Sequence, residues 1–317
     1  MRILVTGAAG FIGSNFVEYL LDRKYSVRAI DIRYGNNLLE FEQNPQFEFV
    51  NADITVSHDV DMICKNIDAI CHFAAVVSVP ESILDPMKTH LTNINGFVNI
   101  LNAAKNNNIK RIVFASSSAV YGNDALEKKV ENCIGTQLSP YGMTKFVNEL
   151  YGTMFSRLYN LECIGLRYFN VYGPKQNPNG AYAAVIPKFI QSFIQSDPIK
   201  PIIVNGDGSN SRDFIYIEDV CLANYLALTT NNPNCYGSVF NIGTGSSTTI
   251  LELLETLSSI TNRQIEPIFG PKLVGDIKYS TADIETASSE LKFVAKTDLS
   301  TGLKKTINSF EKNNQQF

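Results

Sequence analysis

Tyr141 and Lys145 stand four residues apart in the stretch SPYGMTK (139–145), and of fourteen tyrosines only Tyr141 has a lysine at that spacing. On a helix these two positions share a face, one turn apart. A phenol ionises near ~10, too high for a base at neutral pH. A neighbouring ammonium favours the phenolate and lowers that value. Such a pair could take the proton of an alcohol while its carbon is oxidised. Roughly one match to this spacing is expected by chance in a chain like this, so its meaning depends on what surrounds it. Ser116, Ser117 and Ser118, in FASSSAVYG (114–122), follow an apolar run. Their hydroxyls would emerge at the C-terminal edge of a strand, where open α/β sheets bind ligands.

An oxidation needs an electron acceptor, and ILVTGAAGFIGSNF (3–16) offers a place for one. Gly7, Gly10 and Gly13 lie between an apolar run and a helical pattern. The first permits a tight turn, the second lets backbone approach a pyrophosphate at the helix N-terminus, and the third allows close helix–strand packing. Eighteen residues beyond Gly13, Asp31 ends the next apolar run. A carboxylate there accepts the ribose hydroxyls of NAD and repels the 2′-phosphate of NADP. Arg33, two positions on, keeps NADP open as an alternative.

These groups need elements to position them. Runs at 2–6, 26–31, 47–50, 68–73, 111–116 and 161–167 read as strands, with helical patterns at 13–24, 58–66, 88–107 and 141–159. Strands alternating with helices imply a parallel sheet, and runs that are apolar throughout imply burial of both faces. The fold class is therefore α/β, a Rossmann-type doubly wound parallel sheet. Beyond about residue 174 the texture changes to Gly/Asn/Pro-rich loops with helical patterns at 185–196 and 249–261. The expected organisation is a cofactor-binding domain over 1–174 and a smaller α/β substrate domain over 175–317, with 214–245 returning to the first sheet.

Composition narrows the function. The chain has 317 residues, 44% hydrophobic and 18% charged, with a net charge of −4, so neither nucleic acid nor an anionic membrane is an expected partner. No run is long and apolar enough to span a bilayer, and the glycines and Ser14-Asn15 break the N-terminal apolar run as a signal peptide. The six cysteines show no CxxC pair and no metal-ligand spacing, which suits reduced thiols in the cytoplasm and leaves no metal site in view.

The order GxxGxxG, Asp31, Ser117, Tyr141, Lys145 resembles the extended branch of the short-chain dehydrogenase/reductase superfamily. The resemblance implies a catalytic Ser117, Tyr141 and Lys145. It implies NAD contacts from Gly7, Gly10, Phe11, Ile12, Gly13 and Asp31, and from Asp53-Ile54 at the adenine. Phe73, Ala74 and Ala75 of HFAAVVSV, helix residue Asn93, Tyr141, Lys145, and Tyr168 beside the nicotinamide complete that set. Dehydratases of this branch carry an Asp-Glu pair after the catalytic Thr, and decarboxylases a Glu, where this chain has Ser118 and Ala119. Without those carboxylates, the implied reaction is oxidation at C4 of a sugar to a 4-keto intermediate and re-reduction on its opposite face.

The segments 166–190 and 204–220 are similar to those of UDP-sugar 4-epimerases. Ser78, Ser117, Ser118, Asn170, Ala184, Val185, Asn205, Arg212, Asp276 and Ser280 are the implied substrate contacts, with Asn170 and Arg212 on the diphosphate. Ser280 falls at a gatekeeper position where enzymes restricted to UDP-glucose carry a tyrosine, and Val77 replaces their lysine. Both point to UDP-GlcNAc/UDP-GalNAc, with possible UDP-Glc/UDP-Gal activity. Tyr279 is adjacent, so a one-residue slip in the alignment reverses the conclusion. Leu273 replaces an arginine usual in the family, and Lys272 precedes it. A UDP-uronic acid 4-epimerase, a decarboxylase or dehydratase with relocated carboxylates, and a non-catalytic NAD-binding regulator are the alternatives. The helices around 88–107 and 141–159 are implied to form the four-helix bundle of a homodimer.

Overall fold

Seven short apolar runs find their partners in one sheet covered on both faces. The computed structural model describes residues 1–179, 184–195, 201–272 and 277–314. The chain begins β1 (Arg2–Thr6), α1 (Phe11–Asp22), β2 (Ser26–Asp31), β3 (Phe47–Asn51), α2 (Ser57–Ile63), β4 (Ala69–His72), α3 (Val79–Leu84), α4 (Pro86–His90), α5 (Gly96–Asn106) and β5 (Arg111–Ser117). It continues β6 (Lys128–Lys129), α6 (Pro140–Tyr159), β7 (Glu162–Tyr168), β8 (Asn170–Tyr172), α7 (Val185–Ile194), β9 (Ile203–Asn205), β10 (Ser211–Arg212), β11 (Phe214–Tyr216), α8 (Ile217–Thr229) and β12 (Ser238–Ile242). The last described elements are β13 (Thr248–Thr249), α9 (Ile250–Thr261), β14 (Ile268–Gly270), β15 (Tyr279–Ala282), α10 (Glu285–Glu290) and α11 (Leu299–Asn314).

The main sheet is parallel throughout, in the order β12-β7-β5-β4-β1-β2-β3. It is the doubly wound, Rossmann-type α/β fold. Alternate strand residues feed two separate cores. Ile3, Val5, Val27 and Val113 pack with Phe16 and Val17 of α1 and Val220 and Ala223 of α8. Leu4, Ile70, Ile112 and Phe114 pack with Val60 of α2, Phe97 and Leu101 of α5 and Phe155 of α6. The strand order reverses between β1 and β4, which opens a crevice at the strands' C-terminal ends. Thr6 pairs with Ile30 and with His72, and Ser117 with Tyr168, so the residues that follow these strands gather on one rim.

A second, four-stranded sheet, β13-β10-β15-β6, places Arg212 opposite Ser280 in register. Between α4 and α5 the helix continues through a π-helical turn over Leu91–Asn95. Helix α6 owes its start to the quoted stretch. The Ser139 side chain caps it by accepting from Gly142 N at 3.1 Å, and Pro140 occupies the first turn. Asn160 ends it in the left-handed conformation. No helix among the described residues is long and apolar enough to cross a membrane.

Candidate active site

A cleft of about 2070 Å³ runs along that rim, several times the space one small ligand occupies. Its floor is the turn from β1 to α1. A Cβ on Gly7, whose φ is +66°, would lie 2.6 Å from Ala74 N, and one on Gly13 would lie 2.2 Å from Gly7 O. Gly10 is different: its added Cβ would meet only Gly7 O, at 3.2 Å, because that side is open to the cleft. Helix α1 has neither a side-chain cap nor an acidic residue in its first turn, so its N-terminal amides are ready for an anion. Phe11 and Ile12 line the cleft beside them.

Asp31 lies at the end of β2, where its carboxylate accepts from Ala9 N at 3.1 Å and Ile32 N at 2.8 Å. Burial pushes its carboxyl pKa up, and these amides oppose the shift. Asp53 and Ile54 line the same end, with Arg33 near them. Phe73, Ala74 and Ala75 form the opposite wall. That wall hangs on Thr6, whose hydroxyl accepts from Phe73 N and Ala74 N at 3.1 Å and therefore donates its own proton to His72 Nδ1 at 2.8 Å. Burial pushes the His72 pKa down to about 3, helped by the Lys145 charge, so the imidazole is neutral.

Tyr141, Lys145 and Ser117 come together at the other end of the cleft. Lys145 is buried; its Nζ donates to Ala115 O at 2.9 Å and lies 5.9 Å from the centre of the Tyr141 ring. Burial pushes the Tyr141 pKa up, and the Ser117 hydroxyl acts to lower it. Burial pushes the Lys145 pKa down to about 8, while Glu149 acts to raise it.

The remaining sequence candidates divide. Asn170, Ala184 and Val185 line the cleft, and Tyr168 does so with its hydroxyl turned away, donating to Asn224 Oδ1 at 2.8 Å. Asn93, Ser78, Ser118, Asn205, Arg212 and Ser280 are not among the described residues that line it. Asn93 is buried beside the cleft wall. Its amide accepts from Val76 N and donates to Val76 O and Thr144 Oγ1, so it ties the 74–77 loop to α6. Ser78 caps α3 by accepting from Glu81 N at 3.1 Å. Ser118 opens a short 3-10 turn, and Asn205 is exposed on β9. Arg212 donates to Ser211 O at 2.8 Å, and Ser280 is buried in β15. Asp276 and Leu273 lie outside the described residues.

Behind the cleft is a buried polar network absent from the sequence reading. Glu149 Oε1 accepts from Ser116 Oγ at 2.5 Å and Arg167 Nε at 2.8 Å, and its Oε2 accepts from Arg167 Nη2 at 2.7 Å. Arg167 Nη1 donates on to Tyr121 OH and Glu131 O. One signal was available: an arginine inside an otherwise apolar strand run requires a buried partner.

The family model for the NAD dependent epimerase/dehydratase family matches residues 3–243. This chain belongs to that family. Its NAD-dependent epimerase/dehydratase relatives include a putative UDP-glucose 4-epimerase of Methanocaldococcus jannaschii, 38% identical over 99% of both chains. The solved UDP-N-acetylglucosamine 4-epimerase of Methanobrevibacter ruminantium, in complex with UDP-N-acetylmuramic acid, superposes with a TM-score of 0.92 at 35% identity, over 98% of each chain. The UDP-glucose 4-epimerase of Thermotoga maritima, solved with UDP-glucose, gives 0.90 at 34% identity, over 99% of this chain and 100% of that one. NAD is the family's cofactor, and the open Gly10, the uncapped α1 and the Asp31 carboxylate fit it.

Proposed function

We propose that this chain, an NAD-dependent UDP-sugar 4-epimerase and so an isomerase, interconverts UDP-GlcNAc and UDP-GalNAc, with UDP-Glc and UDP-Gal as slower substrates. The choice of sugar rests on Ser280, which falls by sequence likeness where enzymes restricted to UDP-glucose carry a tyrosine whose ring would crowd an N-acetyl group. It is buried in β15 and pairs in register with Arg212, the candidate diphosphate ligand. The neighbouring Tyr279 points to the other face of the strand. Likeness to a UDP-N-acetylglucosamine 4-epimerase supports the same choice.

In this reading the Gly7–Gly13 turn and the start of α1 hold the pyrophosphate of NAD, Asp31 the adenosine ribose, Asp53 and Ile54 the adenine, and Lys145 the nicotinamide ribose. Bound NAD supplies a hydride sink and source at C4 of the sugar. Tyr141 takes the C4 hydroxyl proton and later returns it, and Ser117 hydrogen-bonds the same oxygen throughout. Lys145 holds positive charge beside the phenolate that forms. Asn170 and Arg212 would hold the diphosphate while the oxidised sugar turns over within the cleft. Ser118 and Ala119 bring no carboxylate for elimination or decarboxylation. Residues 1–174 with 214–245 form the cofactor half and the rest of 175–317 the sugar half.

A homodimer joined through the helices around 88–107 and 141–159 belongs to this proposal. Met143, Leu150, Met154 and Leu158 make an exposed apolar stripe along α6, with Met87 and Leu91 exposed nearby in sequence to its neighbouring helices. The cytoplasm suits six free cysteines. Proton NMR of the purified protein with UDP-GlcNAc, UDP-Glc and UDP-GlcA in separate tubes, without reductant, tests the reaction and the sugar together. A galacto-configured product from UDP-GlcNAc, formed faster than from UDP-Glc, is expected. Product from UDP-GlcA alone, or release of carbon dioxide or water, would overturn the proposal.

A further inference from the structure

We propose that Glu149 is a positioning residue for the reaction: fixed by Arg167 and Ser116, it is the counter-charge that keeps Lys145 a cation behind Tyr141. The inference rests on the role given above to Lys145. Tyr141, Lys145 and Glu149 follow one another at four-residue steps on α6, so they share the face turned to β5 and β7. Adjacent serines at the end of β5 serve the two ends of this row. Ser116 donates to Glu149, and Ser117 lines the cleft with Tyr141 and Lys145.

The Lys145 ammonium is buried, and its Nζ bonds a neutral carbonyl, Ala115 O. Burial alone favours its neutral form. The charged groups around it are His72 of β4, which is neutral, Arg167 of β7 across the network, and Tyr141 and Glu149 of its own helix. Of these, Glu149 is the one that raises the proton affinity of Lys145. Stability alone does not call for a Glu149–Arg167 pair at this depth, since well-packed apolar side chains fill such sites equally well. Arg167 and Ser116 hold all three hydrogen bonds to the carboxylate, so the charge cannot swing toward the cleft.

The test reads Lys145 directly. The holoenzyme is labelled with 13Cε-lysine, the Lys145 signal is assigned by its loss in Lys145→Arg, and its titration is followed with no sugar nucleotide present. Glu149→Gln should lower the midpoint by about one pH unit, while Glu149→Asp keeps it near wild type. Because Glu149→Gln leaves Arg167 buried and unpaired, Glu149→Leu with Arg167→Met is made as well, to preserve packing. Its midpoint should also fall, and the basic limb of its kcat profile should move to lower pH in step. A wild-type midpoint in folded Glu149→Gln as well as in that double variant would mean that the pair only fills space, and would overturn the inference. A wrong sugar assignment leaves the midpoints unaffected, so the two failures are distinguishable.

Discussion

Gly13→Ala places the cofactor floor under a test whose size the structure supplies. The new Cβ would lie 2.2 Å from Gly7 O and 2.9 Å from Ala8 Cα. These are backbone atoms, so no rotamer change relieves the contact. Even a favourable carbon–oxygen approach keeps about 3.3 Å, so the start of α1 must withdraw from the turn by about 1 Å. Overpacking of this kind costs about 1–3 kcal/mol, offset by about 1 kcal/mol gained on replacing a helical glycine. The melting temperature should fall by a few degrees at most. The cofactor suffers more. Losing one amide–phosphate hydrogen bond at the displaced helix start costs about 1.5–3 kcal/mol, a weakening of NAD binding by about 10- to 100-fold. Calorimetric titration of cofactor-stripped protein with NAD measures it. Gly10→Ala is the control: its Cβ meets only Gly7 O at 3.2 Å and its φ of −73° suits alanine. It should melt like wild type yet bind NAD poorly, because its methyl projects into the cleft. Wild-type NAD affinity in both variants would refute the placement of the pyrophosphate.

Tyr141→Phe should lower kcat by at least about 100-fold, the usual worth of a general base, with NAD binding retained; a kcat within tenfold of wild type would remove Tyr141 from the chemistry. Ser280→Tyr should suppress turnover of UDP-GlcNAc more than that of UDP-Glc, and an equal loss on both would end the gatekeeper argument. His72 makes the fold acid-sensitive. Its native pKa is pushed down to about 3 while the unfolded value is about 6.5, so between these only the unfolded chain binds the proton. Stability is present above about 6.5 and is lost by about 1.4 kcal/mol per unit as pH falls toward 3. This residue's share at pH 5 is about 2 kcal/mol, and His72→Gln should shrink the gap between urea midpoints at pH 7 and pH 5 accordingly; an unchanged gap would contradict the neutral imidazole. Met154→Glu, on the exposed stripe of α6, should yield a monomer in sedimentation velocity, against a dimer for wild type.

The main strands were legible because their apolar runs are buried on both faces, and the glycines because chain approach at Gly7 and Gly13 admits nothing larger. The roles of polar side chains were less legible. Ser78 and Asn93 have residue types that suit a ligand, yet a helix cap and a loop tie use their hydrogen-bonding groups. No spacing rule distinguishes the two uses, since both depend on which loop folds back within 3 Å. Glu149 was hidden for the opposite reason. A glutamate four residues beyond a lysine reads as an ordinary surface pair, and only the arrival of Arg167 from β7 shows that the face is buried. Ser280 and Arg212 belong to strands of four and two residues, too short for a periodic pattern to announce.

Strand β12 has a consequence for how this chain is made. Its residues Ser238–Ile242 cover the outer edge of β7, whose own sequence contains Cys163, Ile164 and Leu166. A ribosome delivers β7 some seventy residues before β12, so a growing chain carries an unpaired apolar edge through all of that interval. Exposed edges of this kind recruit other strands. A fragment ending at residue 174 would keep its glycines, Asp31, Ser117, Tyr141 and Lys145, yet it should aggregate rather than bind NAD. A fragment extended past Ile242, with β12 in place on β7, should stay soluble where the shorter one does not.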